Sequence, residues 1–167
     1  MNPGFVCLLL LIAKPYFCVA MHTLKVPLIN RSPFEVPQYA TAGAAGLDLR
    51  AHLPQAIAVK PGERVLIPTG LFIELPAGYE AQIRPRSGLA WKQGLTVLNA
   101  PGTVDSDYRG EIQVILINLS GEVQWIQPGD RIAQMIVAPY TRIEWMEVQQ
   151  LAATDRGGNG FGHTGKT

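Results

Sequence analysis

Charge is scarce in this chain. Asp, Glu, Lys and Arg make up 16% of its 167 residues and leave a formal net charge of +1, where a soluble domain typically carries about a quarter charged residues. So balanced a surface exerts no bulk pull on nucleic acid or on an anionic membrane. The basic residues also do not cluster between aromatics, which argues further against a nucleic-acid surface. Cysteine is rarer still. Cys7 and Cys18 are the only two, and both lie near the amino terminus. The body of the chain therefore has no disulfide scaffold and no cysteine nucleophile, and fits a reducing compartment. The three histidines, His22, His52 and His163, lack zinc-ligand spacing and read as surface residues. No G-x-S-x-G elbow is present to build a serine hydrolase. Long apolar runs are missing too: the one from Phe5 to Ala13 stops at Lys14-Pro15, too short to cross a bilayer.

What is abundant points to a turn-rich β protein. Hydrophobic residues make up 47% of the sequence, with 17 glycines and 13 prolines spread through it. One domain with a sizeable core is expected at this length, and the low charge suggests extra apolar area buried in an oligomer. Trp91, Trp125 and Trp145 read as core or interface aromatics.

Residues 1–21 differ from the rest. They resemble a signal h-region followed by small residues at Cys18-Val19-Ala20, but no basic residue precedes the apolar run. A second reading, preferred here, puts the native start at Met21. It implies a cytoplasmic protein; the first leaves export open.

From Leu24 onward, short apolar runs alternate with Gly/Pro turns. Strands are expected over 64–67, 71–75, 79–84, 111–119, 123–126, 131–137 and 143–148. Such spacing indicates a sandwich, jelly roll or barrel. One two-turn helix is expected over 87–94, with Ser87 as N-cap and Gly94 as terminator. Residues 154–167 are dominated by glycine and lack apolar periodicity, so a mobile arm is expected unless a ligand orders it. Phe161 and Arg156 have no use in a purely solvated tail. The arm also contains Gly160-Phe-Gly-His-Thr-Gly-Lys-Thr167, a match to G-x-x-x-x-G-K-T. A P-loop needs a helix after it to hold the phosphate, and none follows here, so that reading is rejected.

Four segments could carry chemistry. In Asn99-Ala-Pro-Gly-Thr-Val-Asp-Ser-Asp-Tyr-Arg-Gly-Glu111, Pro101-Gly102 is expected to start a tight turn, with Gly102 tolerating positive φ. Val104, Tyr108 and Ile112 would share one strand face, with Asp105 on the other. Asp105 could then act as a general base or hold a metal; the alternative is a polar hairpin whose Asp residues cap turns. Around Pro85-Arg86-Ser87-Gly88, a guanidinium, a hydroxyl and free N–H groups would make an anion pocket, or simply a capped helix beside a surface Arg. Asp48, between Leu47 and Leu49, would bind a metal through water or satisfy backbone amides. In Gly129-Asp-Arg-Ile-Ala-Gln134, Asp130 and Arg131 are expected to pair locally, and Gln134 to find a polar partner.

In this order, the segments 45–51, 85–90, 102–111, 129–134 and 156–165 resemble the five motifs of the trimeric deoxyuridine triphosphatase (dUTPase) family, over a stretch from about Leu24 to Thr167. The resemblance implies an all-β, jelly-roll-like β-clip subunit with one short helix. It implies a homotrimer with three active sites shared between subunits, and hydrolysis of dUTP to dUMP and pyrophosphate with Mg²⁺. Carried over, Asp105 activates water for attack on the α-phosphorus. Asn99, Gly102, Thr103 and Val104 belong to the segment that reads uracil through its backbone, and Tyr108 packs on deoxyribose. Arg86, Ser87, Gly88 and Gln134 match phosphate contacts, and Asp48 matches the acid near the metal. Arg156 matches the tail arginine at the terminal phosphates; Phe161, followed by Gly162, matches the ring that stacks over uracil. The family tail R-G-x-G-G-F-G-S-T-G is altered here at Asn159 and His163. The implied organisation is a leader (1–21), a β domain (22–153) and a Gly-rich arm (154–167). Two alternatives remain: a dCTP deaminase of the same fold, and a nucleotide-sensing protein without catalysis.

Overall fold

Eleven short strands and one short helix make up the regular structure of residues 23–158, the part of the chain described by this computed structural model. The longest strand, β11 (Arg131–Pro139), organises the largest sheet. It pairs on one side with β2 (Leu47–Arg50) and on the other with β6 (Tyr79–Arg84), whose far edge carries β8 (Gly102–Val104). A second sheet runs in the order β4 (Arg64–Pro68), β9 (Gln113–Asn118), β7 (Leu95–Val97). Two ribbons complete the set: β1 (Leu28–Asn30) with β5 (Leu71–Ile73), and β3 (Ile57–Val59) with β10 (Gln124–Ile126).

Every pairing is antiparallel, and no two strands adjacent in sequence are neighbours in a sheet. The chain changes sheets at nearly every turn, as a jelly-roll-like subunit requires. The expectation of an all-β fold with one short helix is borne out. The period-2 pattern explains which residues go inside: β9 buries Val114, Leu116 and Asn118, while Ile115 and Ile117 remain half-covered. Leu49, Ile67, Leu95, Ile112, Leu116 and Ile126 form the centre of the core, each burial contributing about 1.5–3 kcal/mol.

Two buried polar side chains tie the sheets together. Asn118 Nδ2 donates to the carbonyls of Val59 (2.8 Å) and Glu122 (2.7 Å), and its Oδ1 accepts from the Ser120 amide (2.9 Å). Thr69 Oγ1 donates to the Ile112 carbonyl (2.6 Å), and Glu111 accepts from the Gly70 amide (2.6 Å). The second pair fastens the exit of the 99–111 segment to the β4–β5 turn. Gly70 is required in that turn, since φ is +73° and a Cβ would lie 2.7 Å from the Ser32 amide nitrogen.

Several expectations are corrected. The strand over 143–148 is absent: the segment is irregular, and Ile143, Trp145 and Met146 face solvent in the single subunit. Alternation alone does not make a strand, and among the described residues this segment pairs with no other strand. Trp91 (89% exposed), Trp125 and Trp145 (87%) do not enter the core, so the expectation of core aromatics is corrected. Helix α1 (Ser87–Gln93) forms and ends at left-handed Gly94, but its N-cap is Arg86 and no side chain caps it; Ser87 is the first helical residue. Val104, Tyr108 and Ile112 do not share a strand, because β8 stops at Val104 and the chain then turns. The segment is not a hairpin of paired strands: β7 pairs with β9, whereas β8 pairs with β6.

Candidate active site

The end of β6 delivers Pro85 and Arg86 into the start of α1, next to the middle of β11 and β2. Gln134 of β11 lies opposite both Asp48 and Arg84. Three segments far apart in sequence therefore meet at one point. Their side chains line a cavity of about 410 Å³ that includes Asp48, Arg86, Ser87, Gly88, Lys92, Gln93 and Gln134. Five of the residues singled out from sequence, Asp48, Arg86, Ser87, Gly88 and Gln134, thus share one cavity.

Asp48 sits at the centre of the charges. Its Oδ1 is 2.8 Å from Arg86 Nε, and its Oδ2 is 3.2 Å from Arg131 Nη1. The local Asp130–Arg131 pair is corrected accordingly. Asp130 instead accepts from the Gln127 amide at 2.7 Å, closing the Gln127–Asp130 turn. Gln134 Nε2 donates to the Pro85 carbonyl at 2.9 Å, the polar partner its position called for. Gly46 fits beside it because a Cβ there would lie 2.6 Å from Gln134 Oε1. The net result is a cavity with more cation than anion, suited to phosphate oxygens.

The 99–111 segment lies along the edge of the same sheet. Gly102 and Val104 are buried opposite Ile83 and Ala81, while Asn99, Thr103 and Asp105 are exposed. Gly102 does not take positive φ; it is needed for space, since a Cβ would lie 3.0 Å from Asn99 Nδ2. After Val104 the chain turns, and the Tyr108 amide donates to the Asp105 carbonyl at 3.2 Å. The Tyr108 hydroxyl donates to the Glu111 carbonyl at 3.0 Å. Its ring closes over Gly110, where a Cβ would fall on the hydroxyl oxygen and 2.5 Å from Cζ. Sequence inspection missed Gly110, because its role depends on how the Tyr108 ring folds back.

Gly102 pairs with Ile83, next to Arg84, but the segment runs away from the cavity as it continues to Asp105 and Tyr108. Val104 pairs with Ala81, which is three residues and roughly 10 Å along β6 from Arg84. Asn99, Asp105 and Tyr108 do not line the phosphate cavity. Arg156 lies in the exposed turn at 155–158, where the Gly157 amide donates to the Thr154 carbonyl. Phe161, Gly162, Asn159 and His163, with the rejected P-loop match, fall outside the described residues, as do Cys7, Cys18, His22 and the leader.

The donor set fits a magnesium carried mainly on a polyphosphate rather than in a protein cage. Among the described residues, no group of three His, Cys, Asp or Glu side chains could hold a metal, and both Asp48 oxygens already face guanidinium groups. Mg²⁺ commonly keeps several waters and binds through one or two carboxylates plus substrate phosphates.

The family model for dUTPase matches residues 32–165. The chain is 52% identical over 146 residues to a deoxyuridine 5'-triphosphate nucleotidohydrolase of Fusobacterium nucleatum, covering 87% of this chain and all of that protein. It is 55% identical to the protein of the same name in Finegoldia magna, over 85% of this chain and 99% of that one. In Rhizobium meliloti the figure is 57%, over 84% and 89%. Among solved structures, the dUTPase of Staphylococcus bacteriophage 80alpha with dUpNHpp superposes with a TM-score of 0.74 at 22% identity, covering 86% of this chain and 99% of that one, and shares the fold. A dUTPase of S. aureus phage phi11, described with a structural Mg(II) ion, superposes at 0.68 and 20% identity, over 78% and 100%. With most of its length matched and identities above half, this chain belongs to the dUTPase family.

Proposed function

We propose that this protein hydrolyses dUTP to dUMP and pyrophosphate, keeping uracil out of DNA and supplying dUMP, in the cytoplasm and as a homotrimer whose sites are shared between subunits. The observation that carries this reading is the cavity itself: Asp48, Arg86, Ser87, Gly88 and Gln134 converge in a member of the dUTPase family. Asp105 and Tyr108 stand on the sheet edge outside that cavity, which suits a neighbouring subunit's nucleotide. The low charge content and the exposed Trp91, Trp145 and Met146 supply apolar area for such an assembly.

Each residue has a role in this scheme. Arg86, Ser87, Gly88 and Gln134 hold phosphate oxygens. Asn99, Gly102, Thr103 and Val104 present backbone groups to uracil, and Tyr108 forms the wall against deoxyribose. Asp105 takes a proton from the water that attacks the α-phosphorus, and the P–O bond to the departing pyrophosphate breaks. Arg86 and Arg156 offset the charge that develops on that leaving group. Phe161 and Gly162 close the arm over the base, and the arm excludes water from side reactions. A bound Mg²⁺ would neutralise and orient the triphosphate, and Asp48 is the carboxylate that would hold it through water. A dCTP deaminase is not favoured by the family match.

Nucleotide profiling tests the proposal. With Mg²⁺, dUTP is expected to turn over, and dCTP, dTTP and UTP to be poor substrates. Ammonia release from dCTP without dUTP cleavage would refute it. The seating of Tyr108 gives a sharper check. Gly110→Ala is expected to displace the ring and to erode selectivity for dUTP over UTP by about tenfold or more, since packing contacts of this size carry ~1–3 kcal/mol. Comparing kcat/KM for the two nucleotides reads this directly; an unchanged ratio would mean that the ring does not guard the sugar.

A further inference from the structure

Arg131 has no role in the scheme above, yet it touches two members of the phosphate cavity. Its guanidinium Nη1 lies 3.2 Å from Asp48 Oδ2, and its backbone carbonyl accepts from Arg86 Nη1 at 3.0 Å. Asp48 Oδ1 in turn takes Arg86 Nε at 2.8 Å. Arg86 is thus held at two of its five N–H groups, by partners that are themselves joined through Arg131. The sequence around Arg131 explains how one residue offers both its carbonyl and its side chain. The pairing of β11 with β2 shifts register between Arg131 and Ala133, and Ile132 is buried inside the irregularity. Bulges of this kind commonly re-aim side chains beside active sites.

We propose that Arg131 is a positioning residue that fixes the plane of the Arg86 guanidinium for phosphate, acting through Asp48 and through its own carbonyl. The proposal rests on the reading that Arg86 holds substrate phosphate. A guanidinium recognises a phosphate through a planar fork, so its orientation decides whether one or two hydrogen bonds form. Freezing the plane before the nucleotide arrives removes an ordering cost from binding. Asp48 then serves two cations, and its carboxylate acts as the hinge between β11 and the start of α1.

The test uses the full-length protein and compares Arg131→Ala, Arg86→Ala and the double variant. Arg131→Ala keeps the backbone carbonyl and removes only the Asp48 leg. It is expected to weaken binding of the non-cleavable analogue dUpNHpp about 10- to 100-fold, the scale on which small misplacements of binding groups act. Binding of dUMP, which lacks the outer phosphates, is expected to stay within about twofold. In the double variant, Arg131→Ala is expected to add nothing to the loss from Arg86→Ala, and Arg131→Lys is expected to recover most of the affinity. Additive losses, or equal weakening of dUMP and dUpNHpp, would overturn the proposal, because Arg131 would then touch the nucleotide itself or merely support the fold. If Arg86→Ala leaves dUpNHpp affinity unchanged, the phosphate role of Arg86 fails first, and the positioning role falls with it. Melting curves of each variant separate these outcomes from loss of fold.

Discussion

Asp105→Asn is expected to lower kcat for dUTP by about 10²- to 10⁴-fold, the usual contribution of a positioned general base. The fold and the affinity for dUpNHpp are expected to survive, for a structural reason. Asp105 is exposed just past β8, and among the described residues its carboxylate enters no hydrogen bond or ion pair. What the turn uses is its backbone carbonyl, which receives the Tyr108 amide and is untouched by the substitution. Asn keeps the shape and the hydrogen-bonding reach of Asp but cannot accept a proton at neutral pH. Pyrophosphate release measured under saturating dUTP and Mg²⁺, beside a thermal melt, reads both halves of the expectation. Turnover within a few-fold of the parent protein would show that another group activates the water.

Truncation after Asp155 is the second large effect. It removes Arg156 and Phe161, and kcat/KM is expected to fall about 100- to 1,000-fold, by analogy with the loss of one charge-stabilising donor at ~2.7–4 kcal/mol. The body should stand without the arm. Residues 151–158 are exposed, and the core is complete by Met135 in chain order. Size-exclusion chromatography and a melt should therefore match those of the full chain, while the catalytic assay collapses. If the truncated chain instead elutes at the mass of a single subunit, the arm holds the assembly together and its role is structural.

Much of the architecture was legible because the β pattern is local. The turn at Pro128-Gly129 falls between strands as expected and 79–84 is delimited to the residue, whereas the turn after β4 is one residue shorter than expected because Pro68 still pairs with Gln113 and ends the strand. The short strands β1, β3 and β7 gave too few residues for alternation to register. Pairing was not legible at all, since each strand's neighbour lies elsewhere in the chain. The 99–111 segment has the local pattern of a hairpin, but its flanking strands pair elsewhere, β7 with β9 and β8 with β6. For the same reason Arg131 was matched with Asp130 next to it rather than with Asp48, which the β2–β11 ladder brings alongside. The cavity residues could be named in advance through the resemblance. Their convergence depends on pairing between distant strands, and the place of Gly110 depends on how the Tyr108 ring folds back.

Consider what the β2–β11 ladder means for a chain still being made. β2 is complete at Arg50, but its partner does not begin until Arg131. At a synthesis rate of ~5–20 residues per second, that edge waits roughly 4–16 s on the ribosome. Leu47 and Leu49 then lack their sheet neighbour, and the sheet that frames the cavity cannot be completed until β11 is made. Premature termination anywhere before β11 leaves a product without Arg131 and Gln134 and with a bare apolar edge, a target for chaperones and proteases rather than a sluggish enzyme.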